Sequence, residues 1–160
     1  MKPNYLTILI TTLCIFFNAC HNSNTAPQLQ LADSLIDKRA DSALCILEKL
    51  SIEEISNKSA KAMYALLLTE ALDKNFKSHR NDSLILIAVD YYKDNSNNKL
   101  KTKAYYYLGR VYQDNKEYIK ATEAYLTALK TASPNQAPIL QIYNNLALCY
   151  ESQEFYLQNI

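Results

Sequence analysis

The sequence predicts an all-α protein in which antiparallel helix pairs stack in a row. Apolar residues recur at helical spacing in consecutive segments, and short polar joints separate these segments. The chain has one glycine among 160 residues, so it offers few of the positive-φ turns on which a sheet of tight hairpins depends. A pattern of aromatic, small and apolar residues also recurs along the chain, and such recurrence is typical of stacked helical repeats.

The N-terminal segment predicts an export signal rather than part of the fold. Lys2 precedes an apolar stretch at 6–17, which is short for a membrane span but suits a signal-peptide core. The following Ala19-Cys20 pair resembles the lipobox of bacterial lipoproteins. The resemblance implies that residues 1–19 are removed and that Cys20 is lipidated, with fatty acids such as palmitate anchoring the chain to a membrane. The alternative is an ordinary secretory peptide that is cut nearby, with Cys20 a bystander.

A polar tether at 20–28 is expected to precede a helical domain at 29–160. Asp41 and Asp82 stand near predicted helix starts, where their side-chain oxygens are expected to accept hydrogen bonds from free backbone N–H groups. The predicted helices cover 29–38, 41–50, 58–76, 82–94, 99–115, 118–131 and 136–152, and an eighth starts at about 155.

The segment 102–135 carries the most informative pattern. Aromatic, small and apolar residues stand there at fixed offsets in two consecutive predicted helices. These residues are Tyr105, Leu108, Gly109, Tyr112, Ala121, Tyr125 and Ala128. They resemble the tetratricopeptide repeat (TPR), with Tyr105 where tryptophan is usual. The only glycine occupies the motif's glycine position, where the missing side chain is expected to let the two helices of a hairpin approach closely.

Weaker copies of the pattern flank this segment. The copy at 140–160 is expected to be incomplete, and its matching residues are Tyr143, Leu146, Ala147 and Tyr150. Tyr143 and Tyr150 are expected to lie in the core. An upstream copy contains Tyr64, Leu67 and Ala71. The chain also resembles TPR lipoproteins of Bacteroidetes, notably in MYALLLTEALDKNF and KAYYYLGRVYQDNKEYIKATEAYLTALK. The resemblance implies a TPR-like α-solenoid of stacked antiparallel helix pairs.

The composition favours neither catalysis nor nucleic-acid binding. Seventeen basic and sixteen acidic residues are spread along the chain, so no strong positive field attracts nucleic acid. His21 and His79 have no Cys, Asp or Glu partner at ligand spacing, so no metal, cofactor or catalytic site is expected, and His79 is predicted to be a surface turn residue. Cys45 and Cys149 are predicted to be buried and free, although a disulfide between them in the periplasm is an alternative.

The sequence therefore predicts a periplasm-facing lipoprotein of the bacterial envelope that binds a protein or peptide partner. The predicted groove lies on the first helices of the two best repeats and contains Lys103, Tyr106, Arg110, Gln113, Gln141, Asn144 and Leu148. Mixed aromatic, basic and amide groups suit an extended peptide or a partner helix. Self-association through the incomplete last repeat is also expected. The alternatives are the receptor portion of a longer signalling protein and a glycan-binding protein that uses Tyr106.

Overall fold

The computed structural model describes residues 25–79, 81–133 and 138–158, with side chains described as far as residue 155. All regular structure in these ranges is helical, which confirms the all-α prediction. The α-helices are α1 (Thr25–Leu35), α2 (Ala40–Leu47), α3 (Lys58–Lys74), α4 (Ser83–Tyr92), α5 (Asn98–Asp114), α6 (Tyr118–Thr131) and α7 (Ile139–Gln158). A short 3₁₀ helix, Ile52–Glu54, lies between α2 and α3.

Helix packing follows the order of the chain. Each helix packs against the next one, and α3 also contacts both α1 and α5. Two buried apolar clusters meet at α3, where Leu66 belongs to the cluster shared with α4 to α7 and Leu67 to the cluster shared with α1 and α2. Apolar residues therefore occur on opposite sides of α3, as expected for a helix that is buried between neighbours.

Two asparagine side chains cap the first turns of α3 and α5. Asn57 Oδ1 accepts a hydrogen bond from the Ala60 amide at 3.0 Å, and Asn97 Oδ1 accepts one from the Leu100 amide at 3.2 Å. The caps predicted at Asp41 and Asp82 are wrong. Asp41 lies inside α2, and the side chain of Asp82 makes no capping bond.

Helices α3 and α5 end in the same turn. In each case an asparagine is followed by a non-glycine residue with positive φ, Phe76 at 55° and Lys116 at 62°. The next amide N–H then donates to a carbonyl of the last helical turn, from Lys77 to Leu72 at 3.0 Å and from Glu117 to Tyr112 at 2.8 Å. This bond satisfies a carbonyl that the helix leaves unpaired, which offsets the cost of the left-handed residue.

The matching turns fix a repeat spacing of 40 residues between α3 and α5. At that spacing Thr69, which is buried, corresponds to Gly109. The buried residues Ala62, Tyr64, Leu67 and Ala71 likewise correspond to the buried residues Thr102, Ala104, Tyr107 and Val111. The predicted upstream copy, which aligned Tyr64 with Tyr105, is therefore wrong by one residue.

Gly109 is the contact point of the α5–α6 hairpin. A Cβ atom on Gly109 would lie 2.5 Å from Tyr125 Cδ1 and 2.9 Å from Tyr125 Cζ. The ring of Tyr125 is fully buried, and its hydroxyl donates to Gln113 Oε1 at 2.7 Å. The prediction that Gly109 permits close helix approach is confirmed, since the aromatic ring occupies the space of the missing side chain.

The structure differs from the prediction at both ends of the helical domain. Helix α1 begins at Thr25, so residues 25–28 are helical rather than part of the tether. Helix α7 runs without a break through the point where a new helix was expected at about 155. Gln153 attaches this turn to α6, because its Nε2 group donates to Tyr118 O at 3.3 Å and to Thr122 Oγ1 at 3.1 Å.

Cys45 and Cys149 are both free, as predicted, but only Cys149 is buried. Cys45 lies on the exposed side of α2, so its predicted burial is wrong. The predicted signal segment and Cys20 lie outside the described residues. Within the part of the chain that the structure describes, no helix has the length and apolarity to cross a bilayer.

Candidate functional site: an open helix face beside a buried charged cluster

The predicted groove residues separate into two groups. Gln141, Asn144 and Leu148 lie exposed on α7. By contrast, Lys103 and Arg110 on α5 pair with acidic side chains of α3. The structure thus brings the α5 group into contact with a neighbouring helix and leaves the α7 group open to solvent.

Tyr106 is a core residue rather than an exposed groove residue. Its side chain is 8% exposed, and its ring packs edge-on against Tyr107 with 4.9 Å between ring centroids. Burial, followed by the nearby charge of Asp73, raises the pKa of Tyr106. The sequence placed Tyr106 on the open face because it lies outside the repeat motif, but its ring packs in the core beside Tyr107 of α5 and Tyr125 of α6. It therefore offers no open ring face for a sugar.

Alternating acidic and basic side chains connect α3 with α5 and with the segment just after α1. Glu70 on α3 is 2% exposed, and its carboxylate pairs with Lys103 of α5 and with Lys74, whose Nζ lies 3.3 Å from Glu70 Oε1. Lys74 also reaches Asp37, just after α1, at 2.5 Å. Because Glu70 is buried, its charge depends on these two lysines, and removing both would leave it without compensation, which is costly.

Arg110 forms the centre of a second charged group. Its Nε donates to Asp73 Oδ1 at 2.9 Å, its Nη1 donates to Gln113 Oε1 at 3.2 Å, and its Nη2 lies 3.5 Å from Asp114 Oδ1. Burial alone would raise the pKa of Asp73, but contact with His79 and Arg110 outweighs burial and lowers it. Burial would lower the pKa of Arg110, but Asp73 and the other neighbours outweigh burial and raise it. Both groups are therefore held in their charged forms.

His79 is buried, so its prediction as a surface turn residue is wrong. Its side chain is 3% exposed, and Nε2 lies 3.9 Å from Asp73 Oδ1 and 3.8 Å from Asp114 Oδ2. The α3–α4 loop turns inward at this point and carries the ring against the ends of α3 and α5. We refer to Asp73, His79 and Asp114 as the acidic–histidine cluster.

Helix α7 presents an open face at positions of the repeat motif. Tyr143 is 58% exposed and Tyr150 is 51% exposed, and Ala147 between them is also exposed. Their counterparts 38 residues earlier, Tyr105 and Tyr112, pack partly buried against the core. The prediction that Tyr143 and Tyr150 lie in the core is therefore wrong, although the buried side of α7, formed by Ile142, Leu146 and Cys149, follows the predicted register. We refer to Tyr143, Ala147 and Tyr150 as the open α7 face.

Four site residues were missed from the sequence: Glu70, Asp73, His79 and Asp114. Glu70 and Asp114 each have a basic partner four residues away on the same helix, but the contacts that join neighbouring helices span more than 30 residues. These long-range contacts are not visible in local spacing. The usable signal is the 40-residue repeat. It places Glu70 of α3 and Arg110 of α5 at equivalent positions, and each of these residues pairs with an oppositely charged residue of the other helix.

Comparison with protein-family models, curated proteins and solved structures found no match to this chain.

Proposed function

We propose that this chain is a protein-binding scaffold of the TPR type, which docks an amphipathic helix of a partner protein on the open α7 face. Lipidated Cys20 anchors it to a membrane of the bacterial envelope, facing the periplasm. The observation that carries the proposal is the exposure of Tyr143, Ala147 and Tyr150. These are the positions at which a TPR helix receives the second helix of its own hairpin.

The pattern of contacts between helices supports the solenoid arrangement. Sequential neighbours pack as hairpins, and α3 contacts the odd-numbered helices α1 and α5. Such contacts are expected when the first helices of successive hairpins line one side of a stack. Matching caps at Asn57 and Asn97, and matching positive-φ turns at Phe76 and Lys116, give α3 and α5 the same construction.

The charged side of the stack is a poorer docking surface than the open α7 face. Lys103 and Arg110 are already paired with α3, so a partner would have to replace these ion pairs. The α7 face requires no such exchange, since its tyrosines meet solvent. Aromatic residues commonly carry much of the binding energy of an interface, with a truncation costing on the order of 2 kcal/mol or more.

The composition of α7 indicates what chemistry a partner needs. The helix contains Glu151 and Glu154 and no lysine or arginine. A complementary helix therefore carries an apolar stripe for Tyr143 and Tyr150, with basic residues beside it for the two carboxylates. A second copy of this chain that docks through the same face is the self-association expected from the sequence.

Photo-crosslinking in cells tests the proposal. A photo-reactive amino acid replaces Tyr143 in the full-length chain, and a matched control replaces Glu123, which is exposed on α6. We expect a discrete crosslinked product from position 143 and none from position 123. Adding Tyr150→Ala should reduce the product several-fold, because this residue lies two turns away on the same side of α7.

The mass of the product separates the two occupants. A product of twice the mass of the uncrosslinked mature chain from the same cells identifies self-association, and any other mass identifies a different partner. Equal crosslinking from both positions, or none from position 143, would contradict docking on the open α7 face.

A further inference from the structure

We propose that Asp73, His79 and Asp114 bind a divalent transition-metal ion, with zinc as the type that this ligand set suits. The three residues come from the last turn of α3, the α3–α4 loop and the last residue of α5. A metal at this point would hold two successive hairpins together. The acidic–histidine cluster lies apart from the open α7 face and does not depend on the proposed docking function.

The ligand atoms form a compact triangle. One ligand atom from each residue lies within 4.8 Å of the other two, and His79 Nε2 is 3.9 Å from Asp73 Oδ1 and 3.8 Å from Asp114 Oδ2. A point equidistant from the corners of such a triangle lies at most about 2.5 Å from each, whereas zinc bonds to nitrogen and oxygen are about 2.0–2.2 Å long. Side-chain shifts of a few tenths of an ångström therefore complete the site.

The second observation concerns His79, whose Nε2 atom is buried and has no hydrogen-bond partner. Its contacts at 3.8 and 3.9 Å are longer than the roughly 2.7–3.2 Å of an N–H···O hydrogen bond. Burying a polar nitrogen without a partner costs free energy. A cation between Nε2 and the two carboxylates supplies the missing partner of His79, and it adds a second cationic partner beside Arg110 for Asp73 and Asp114.

Local charge also favours a cation. Asp73 lies in the last turn of α3 and Asp114 ends α5, where the backbone carbonyls already carry partial negative charge. Arg110 provides one positive charge for the two carboxylates. Its Nη2 faces Asp114 Oδ1, whereas Oδ2 of the same carboxylate faces His79 and stays available as a ligand. Arg110 thereby orients the ligands, as groups surrounding metal sites commonly do.

The chemistry of the donors selects the metal. Imidazole nitrogen suits zinc and other first-row transition metals, whereas calcium and magnesium prefer sites made of oxygen alone. Three protein ligands leave a fourth tetrahedral position, which water fills in open zinc sites.

The test uses the purified full-length chain in detergent after removal of metals with a chelator. Equilibrium dialysis with zinc measures stoichiometry and affinity, and the visible absorption of cobalt in place of zinc reports the coordination geometry. All chains carry Cys45→Ser and His21→Ala, which remove an exposed thiol and the other histidine as competing ligands. We expect one zinc ion per chain and a tetrahedral cobalt spectrum without thiolate absorption.

Two variants localise the site. His79→Ala removes the nitrogen ligand, and Asp114→Asn keeps the size of the side chain while weakening an oxygen ligand. Each variant should weaken zinc binding at least tenfold. Helicity is measured alongside to show that each variant is folded. If His79→Ala fails to fold, the zinc affinity of a folded Asp114→Asn variant tests the site. A metal-free parent chain after dialysis, or unchanged affinity in a folded variant, would overturn the site.

Discussion

Gly109 provides the sharpest test of how the best repeat is packed. Replacing it with leucine puts a side chain where Tyr125 now lies, since even a Cβ atom would come within 2.5 Å of Tyr125 Cδ1. The ring cannot move aside cheaply, because it is fully buried and its hydroxyl donates to Gln113 at 2.7 Å. The α5–α6 hairpin would have to open to make room.

The expected loss combines two opposing effects. Overpacking a buried contact costs about 1–3 kcal/mol, and more when the backbone has to shift. Removing glycine from a helix interior returns up to about 1 kcal/mol through helix propensity. Gly109→Ala should therefore lower the free energy of unfolding by up to about 2 kcal/mol. Gly109→Leu carries three more carbon atoms into the same space, so it should cost at least about 2 kcal/mol.

Chemical denaturation of the chain from residue 25 onward measures these differences. Ala147→Leu is the matched control, because Ala147 occupies the same motif position on α7 but is exposed. That change should alter stability by no more than about 0.5 kcal/mol. Equal effects of Gly109→Leu and Ala147→Leu, or an unchanged midpoint for Gly109→Leu, would show that the hairpin contact has been misread.

Two further predictions concern the lipid anchor at Cys20 and the ionisation of Asp73. Wild-type cells supplied with labelled palmitate should incorporate label into this chain, and the Cys20→Ala variant should not; label in the variant would contradict lipidation at this residue. The pKa of Asp73 is lowered from its ordinary value of 3.8 in the fold, so the ionised carboxylate contributes stability above pH 3.8 that is lost as the pH falls below that value. The difference in unfolding free energy between wild type and Asp73→Asn should therefore become smaller as the pH is lowered from 6 to about 2. A difference that stays constant over this range would contradict a lowered pKa of Asp73 in the folded chain.

Much of the helical architecture could be predicted from sequence because it depends on local patterns. Apolar spacing and polar joints identify α3 to α6 within a few residues, and the single glycine marks a close contact between α5 and α6. The predicted caps failed for a reason that is also local. Asparagine and aspartate are both good caps by type, and only the geometry shows that Asn57 and Asn97 make the bonds.

The site was harder to predict because exposure depends on what packs nearby. Tyr105 and Tyr143 occupy the same motif position, yet Tyr105 packs partly buried against the core while Tyr143 stays open. His79 stands in a polar loop, and nothing within ten residues shows that the loop turns onto Asp73 and Asp114. Long-range contacts of this kind follow from the repeat geometry rather than from any short motif.

Cysteine accessibility at the open α7 face tests the docking proposal most directly. Tyr143→Cys and, as control, Glu123→Cys are introduced into a Cys45→Ser chain, and maleimide labelling is compared between intact cells and the dilute purified chain. The proposal predicts that position 143 is labelled when purified but protected several-fold in cells, while position 123 is labelled equally in both. Equal labelling of position 143 in cells and in purified protein would show that no partner covers this face.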